Sequence, residues 1–196
     1  MRMITTPILM GLIALNLSFN AQANTFIAEN AKTEIRASSC ATSTMYAKRT
    51  TEIRREPSLE SEVLDVAPVS CSFEVVSIQD GWSRIETCDG YAYIEADALI
   101  DRCPQSLGRF KLTYYDPHSC CGTGNGITAS GRKAEVGRTI AMSKKYAPLG
   151  AHVLINGHEY VVDDRGVTGR TVDVLVGTHA EAKKRGVNYA EVYVLE

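Results

Sequence analysis

From residue 51 onward the chain is written in short alternating segments. Thr51-Glu52-Ile53-Arg54, Glu62-Val63-Leu64-Asp65-Val66, Phe73-Glu74-Val75-Val76-Ser77-Ile78, Trp82-Ser83-Arg84-Ile85 and Tyr91-Ala92-Tyr93-Ile94 each mix apolar and polar positions with a period near two. That period is the mark of a strand with one face buried. Turn formers separate the segments: Glu56-Pro57-Ser58-Leu59, then Asp80-Gly81 and Asp89-Gly90, the last two being hairpin signals. Five short strands within 44–101 predict a small barrel.

The pattern resumes after Asp101–Leu107, a proline-bearing stretch that reads as a linker. Arg109 to Tyr115 alternates, Thr139-Ile140-Ala141-Met142 is a short apolar run, and Ala151 to Ile155 leads into Asn156-Gly157, the strongest hairpin dipeptide in the sequence. His158 to Val162 returns from it, Thr171 to Val176 is a further strand, and Tyr189 to Leu195 closes the series. Thr178-His179-Ala180-Glu181 is a capping box, which predicts a short helix over about 179–185 ended by Gly186. The expected fold class is therefore all-β: a small barrel at 44–101, then a compact β-barrel of six or more strands with one short helix at 108–196.

The first residues follow another pattern. Met1-Arg2-Met3 is basic, Ile4 to Phe19 is apolar but broken by Pro7 and Asn16, and Ala21-Gln22-Ala23 fits a small-x-small cleavage site. Residues 1–23 are expected to be a secretory signal peptide. The run is too short and interrupted for a good membrane anchor, and no cysteine follows the cleavage site to carry a lipid. Residues 24–43 form a polar arm. The mature chain is expected to be exported, to a periplasm or the cell wall, with no stable membrane insertion, and to be a monomer.

Six cysteines suit an oxidising compartment. Cys71 and Cys88 flank the segment around Asp80-Gly81 and are expected almost opposite each other; Cys40 and Cys103 bracket the first domain and can close it. Cys120 and Cys121 either form a strained bond between neighbours or pair with more distant partners. His118 beside Cys121 resembles a nucleophile pair, but the compartment and the even count favour disulfides. A net charge of -2 implies no polyanionic partner, and nucleic acid is not expected. His118, His152, His158 and His179 show no zinc spacing, so neither a metal nor another cofactor is expected.

The chemistry gathers at Tyr160 to Val174. Asp164 ends one apolar run and Asp173 lies inside another, among Val172, Val174, Leu175 and Val176. A carboxylate in an apolar setting must be paired or protonated. Cleaving a glycosidic bond needs such a protonated donor, because an exposed aspartate is ionised at neutral pH. The structural alternative is that Asp164 caps a turn and Asp173 pairs with Arg165 or Arg170. By strand alternation Asp163 points away from Asp164. Thr128, Ser130 and Gly131 form a small-residue turn able to meet sugar hydroxyls; Ser143, Lys144, Lys145 and Arg132 are weaker binding candidates. Tyr114 and Tyr115 either line a groove or, in one case, fill the core.

Two resemblances sharpen this reading. "IRREPSLESEVLDVAPVSCSFEVVSIQDGWSRIETCDGYAYIEADAL" resembles a bacterial SH3 (SH3b) domain, with a cysteine, Cys71, where that family commonly has glycine. Such domains are usually wall-binding modules, and Trp82, Tyr91 and Tyr93 offer either an aromatic groove or core filling. Residues 108–195, through "TYYDP", "GITASGR", "IAMSKKYAPLGAHVLINGHEYVVDDRG", "GRTVDV" and "AEAKKRG", resemble the 3D domain, a six-stranded double-psi β-barrel similar to the barrels of lytic transglycosylase A, rare lipoprotein A and the expansins. The resemblance implies peptidoglycan as partner. It implies a lytic transglycosylase with Asp173 as acid/base and Asp164 as its supporting carboxylate, the alternative being a non-catalytic wall-binding or expansin-like loosening protein. Where relatives carry Ala-x-Asp or Ala-x-His, this chain has Ala141-Met142-Ser143.

Overall fold

The computed structural model describes residues 42–117 and 126–196. The expected signal peptide, nearly all of the arm, and Cys40, His118, Cys120 and Cys121 lie outside the described residues. The fold is all-β, with two sheets inside one compact unit.

The first sheet has seven antiparallel strands: β1 (Ser43–Ala47), β2 (Thr51–Arg54), β3 (Val63–Ala67), β4 (Ser72–Gln79), β5 (Trp82–Thr87), β6 (Gly90–Glu95) and β7 (Leu99–Ile100). Their order is β3-β2-β6-β5-β4-β1-β7. Five were expected. The additional β1 and β7 pair with each other through Tyr46–Ile100 and Ala47–Leu99, and a two-residue strand is too short to display a period. Val75, Ile85, Ala92, Ile94, Ala98 and Leu99 make the core of this sheet. Trp82 and Tyr93 stand on its other face. With Pro57, Ser77, Gln79, Asp80 and Arg84 they line a surface cleft of about 370 Å³, and Arg84 lies 4.4 Å over the Tyr91 ring. Trp82 and Tyr93 thus line a cleft, Tyr91 is exposed beside it, and none of the three is a buried residue of the core.

The predicted Cys71–Cys88 bond is corrected. Among the described residues Cys71, Cys88 and Cys103 are free thiols. The β4–β5 register slips at Val75–Ser77 and then runs through Val75↔Ile85. Continued outward, it sets Cys88 against Ser72, so Cys71 falls on the opposite side of the hairpin.

The second sheet is a closed barrel in the order β10-β11-β9-β12-β8-β13. Its strands are β8 (Pro104–Tyr115), β9 (Thr139–Met142), β10 (His152–Ile155), β11 (His158–Asp164), β12 (Thr171–Leu175) and β13 (Asn188–Leu195). The supposed linker is part of this barrel: β8 starts at Pro104, which pairs with Leu195. Proline is tolerated at the first residue of a strand, and Gly108, at φ 84°, lets the long strand bend. Phe110, Leu112, Ile140, Met142, Val162, Val172, Val174 and Val192 fill the interior. Helix α1 (His179–Arg185) begins as the capping pattern requires, with Thr178 Oγ1 accepting from Glu181 N at 3.1 Å.

The sheets are tied together. Arg102 donates to both carboxylate oxygens of Glu159 on β11, at 2.7 and 2.8 Å, and Ser70 Oγ donates to the Pro104 carbonyl at 2.6 Å. The Asn156-Gly157 hairpin, with φ of 50° and 78°, lies against Arg49. A Cβ on Gly157 would stand 3.1 Å from the Arg49 Cβ, so glycine is favoured there by both conformation and space.

Candidate functional site

Four strands, β8, β9, β11 and β12, build the site on the outer wall of the barrel. The interior takes Leu112 and Tyr114 from β8, Ile140 and Met142 from β9, and Val172 and Val174 from β12. Alternation therefore turns Thr113, Tyr115, Ala141 and Asp173 outward. Asp173 and Asp164 are not on adjacent strands. Strand β9 runs between them, and Ala141 is the register partner of both. Two strand spacings separate the aspartate Cα atoms, about 10 Å, with only a methyl group between. A larger residue at 141 would fill that gap.

Asp173 is half-buried. Burial raises its carboxyl above the usual range; the Thr113 hydroxyl, donating to Oδ1 at 2.8 Å, pulls it partly back, and the charge of Asp164 pushes it up again. The net direction is upward, which favours a retained proton. The arginines proposed to neutralise it are engaged elsewhere. Arg165 donates to the carbonyls of Met142 and Ala147, while Arg170 reaches past Gly108 to the Leu107 carbonyl. Among the described residues Asp173 has no cationic partner.

Asp164 accepts two backbone N–H groups on Oδ1, from Ala129 at 3.0 Å and its neighbour Arg165 at 2.8 Å. It thus ties the 126–134 loop to the barrel, as the turn-capping alternative foresaw, while still flanking Ala141. Asp163 is the most enclosed of the three aspartates, 1% exposed. A bulge between Val162 and Asp164 sends its side chain into a polar nest. Arg138 forms an ion pair with Oδ2, Thr139 Oγ1 donates to the same oxygen at 3.4 Å, and Ser130 Oγ donates to Oδ1 at 3.3 Å.

The expected binding residues divide. Thr128 is buried, and its hydroxyl lies within hydrogen-bonding reach of the Arg132 carbonyl and Ser130 Oγ. Gly131, at φ 79°, closes the turn by donating its N–H to the Thr128 carbonyl at 2.9 Å. These three residues build the loop that carries Ala129 to Asp164. Ser143 starts the turn after β9, where its Oγ accepts from Lys145 N at 3.4 Å. Lys144 is exposed. Ala129, Ser130, Arg132, Arg138, His152 and Asp163 help to line a polar cleft of about 380 Å³ on the same side of the loop.

Thr113 and the hydroxyl of Tyr115 were not singled out from sequence. The available signal was the alternation of Leu112-Thr113-Tyr114-Tyr115, which puts one tyrosine in the core and the other on the wall. Tyr114 does pack against the core. Arg138, the partner of Asp163, carried no local signal.

Residues 138–196 match the profile of the 3D domain, a double-psi barrel family found in cell-wall-related proteins. The match runs from the start of β9 through β13 and includes both aspartates. Strand β8 and the first sheet lie outside it. No curated protein matches the chain.

Proposed function

We propose that this is an exported peptidoglycan lytic transglycosylase, with Asp173 as the acid/base and Asp164 as the charge that tunes it. The observation that carries the proposal is the state of Asp173: half-buried, its carboxyl raised, without a cation among the described residues, and flanked by a second carboxylate across Ala141. In the first step protonated Asp173 gives its proton to the glycosidic oxygen, and the bond from C1 to that oxygen breaks. In the second the Asp173 carboxylate takes the proton of the sugar's own C6 hydroxyl, whose oxygen bonds to C1. A 1,6-anhydro end forms, no water is consumed, and Asp173 regains its proton. The cleft of Trp82, Tyr93 and Arg84 supports an SH3b-like role for the first sheet, holding wall material near the barrel.

The test is mass spectrometry of digested sacculi. Wild-type protein is expected to release anhydro-muropeptides, and Asp173→Asn to lower the rate by about 10²–10⁴-fold without loss of the folded state. Absence of anhydro products from wild-type digests would sink the proposal. One observation favours the second reading, wall loosening without cleavage: Ser143 leaves the pair without a third acid. That reading expects binding to sacculi and no new ends.

A further inference from the structure

One hydroxyl on the site face has no partner among the described residues. Tyr115 closes β8 with its Oη fully buried and without a hydrogen bond to any of them. Buried phenols ordinarily find one. The surroundings are not apolar. Burial first, and then the charges of Asp164, Asp173 and Asp163, push the phenol well above its ordinary value, so it remains a donor. It is a donor among acceptors that is bonded to none of them. The hydrogen bonds to Asp173 and Asp164 go to Oδ1 in each case, and among the described residues nothing bonds Oδ2 of either.

We propose that Tyr115 is a positioning residue for the Asp164–Asp173 pair, its hydroxyl held back for the carboxylate that forms when Asp173 releases its proton. This rests on the lytic reading of the site. A bond made only to the ionised form lowers the energy of the charged intermediate, and by the same amount it lowers the proton affinity of Asp173, against the upward push of burial and of Asp164. When the proton leaves for the glycosidic oxygen, a second negative charge appears beside Asp164. Tyr115 pairs with Leu175, two residues along the β8–β12 ladder from the Thr113–Asp173 pair, and in this proposal its O–H turns to Oδ2 of the ionised Asp173, joining Thr113 as a second donor. When the C6 hydroxyl returns a proton, that bond is released. Tyr115 keeps its own proton throughout.

Tyr115→Phe removes only the hydroxyl. The expected result is a kcat lowered roughly tenfold, the effect of one hydrogen bond to a charged group, with KM unchanged. The alkaline limb of the pH profile moves to higher pH, because the ionised carboxylate has lost a donor. The melting temperature stays the same or rises, because an unsatisfied buried group has gone. An unmoved kcat and pH profile overturns the proposal. So does a melting temperature lowered by several degrees with the profile unmoved, which marks an internal structural tie. The carboxyl ¹³C titration of Asp173 in wild type and Tyr115→Phe needs no turnover. A higher midpoint in the variant upholds the role of Tyr115 even if wild-type protein releases no anhydro ends and the lytic reading falls; an identical midpoint overturns it.

Discussion

The end of β11 and the middle of β12 each set an aspartate into the barrel wall, with opposite treatment. At Asp163 the chain surrounds a 1%-exposed carboxylate with a guanidinium and two hydroxyls. At Asp173 the described residues leave a half-buried carboxyl one hydroxyl, no cation, and a like charge nearby. Burial alone would choose Asp163 as the unusual residue. The arrangement of partners chooses Asp173, because a buried carboxylate held by a cation and donors is architecture, whereas the carboxyl of Asp173 is raised.

The largest effect should come from breaking the satisfied side. Arg138→Met leaves Asp163 enclosed with only two hydroxyls. Removing one member of a buried ion pair typically costs about 3–5 kcal/mol, so urea unfolding should reveal a loss of that order. Adding Asp163→Asn should recover part of it, since the orphaned charge is then gone. Asp173→Asn by itself should cost little. If Arg138→Met and Asp173→Asn destabilise equally, the contrast between the two sites fails.

That contrast was only half legible in the sequence. Asn156-Gly157, Asp80-Gly81 and Thr178…Glu181 announced their turns and cap because these are local interactions, fixed by the residues that make them. The carboxylate pair was found because Asp173 interrupts a run of valines. What could not be read was β9 passing between the aspartates: Ala141 meets Asp164 in a parallel ladder and Asp173 in an antiparallel one, and neither pairing leaves a mark on neighbouring residues. Alternation also gave only half of the Asp163 answer. It separated Asp163 from Asp164, but the bulge, with Arg138 arriving from another segment, made Asp163 the buried one.

A smaller effect should appear as pH dependence. The carboxyl of Asp173 is raised in the folded protein, so between the unfolded carboxylate value and the raised one the native state holds more protons. Stability then falls as pH rises through that window. Asp173→Asn removes this contribution, so its stability relative to wild type should climb across the window and level off above it. Thermal melts at several pH values would read this directly. Glu159 behaves oppositely: burial raises its carboxyl, but Arg102 and then His152 outweigh it and the net direction is down. The contribution of Glu159 is present above the unfolded carboxylate value and lost as pH falls through the lowered one. A Glu159→Gln control should therefore lose its difference from wild type at acid pH, where Asp173→Asn also converges on wild type.

The smallest effect compares two hydroxyls on one face of β8. Thr113 donates to Asp173 at 2.8 Å; Tyr115 donates to nothing. Thr113→Val keeps a β-branched shape suited to a strand and deletes only that donor. It should cost about 1 kcal/mol near neutral pH, and less in acid, where Asp173 is protonated and asks less of a donor. It should also move the Asp173 titration upward, because the ionised form has lost a hydrogen bond. Tyr115→Phe should cost no stability. Opposite outcomes, with the phenol holding the fold and the threonine dispensable, would mean that the β8 face is tuned for packing and not for the carboxyl beside it.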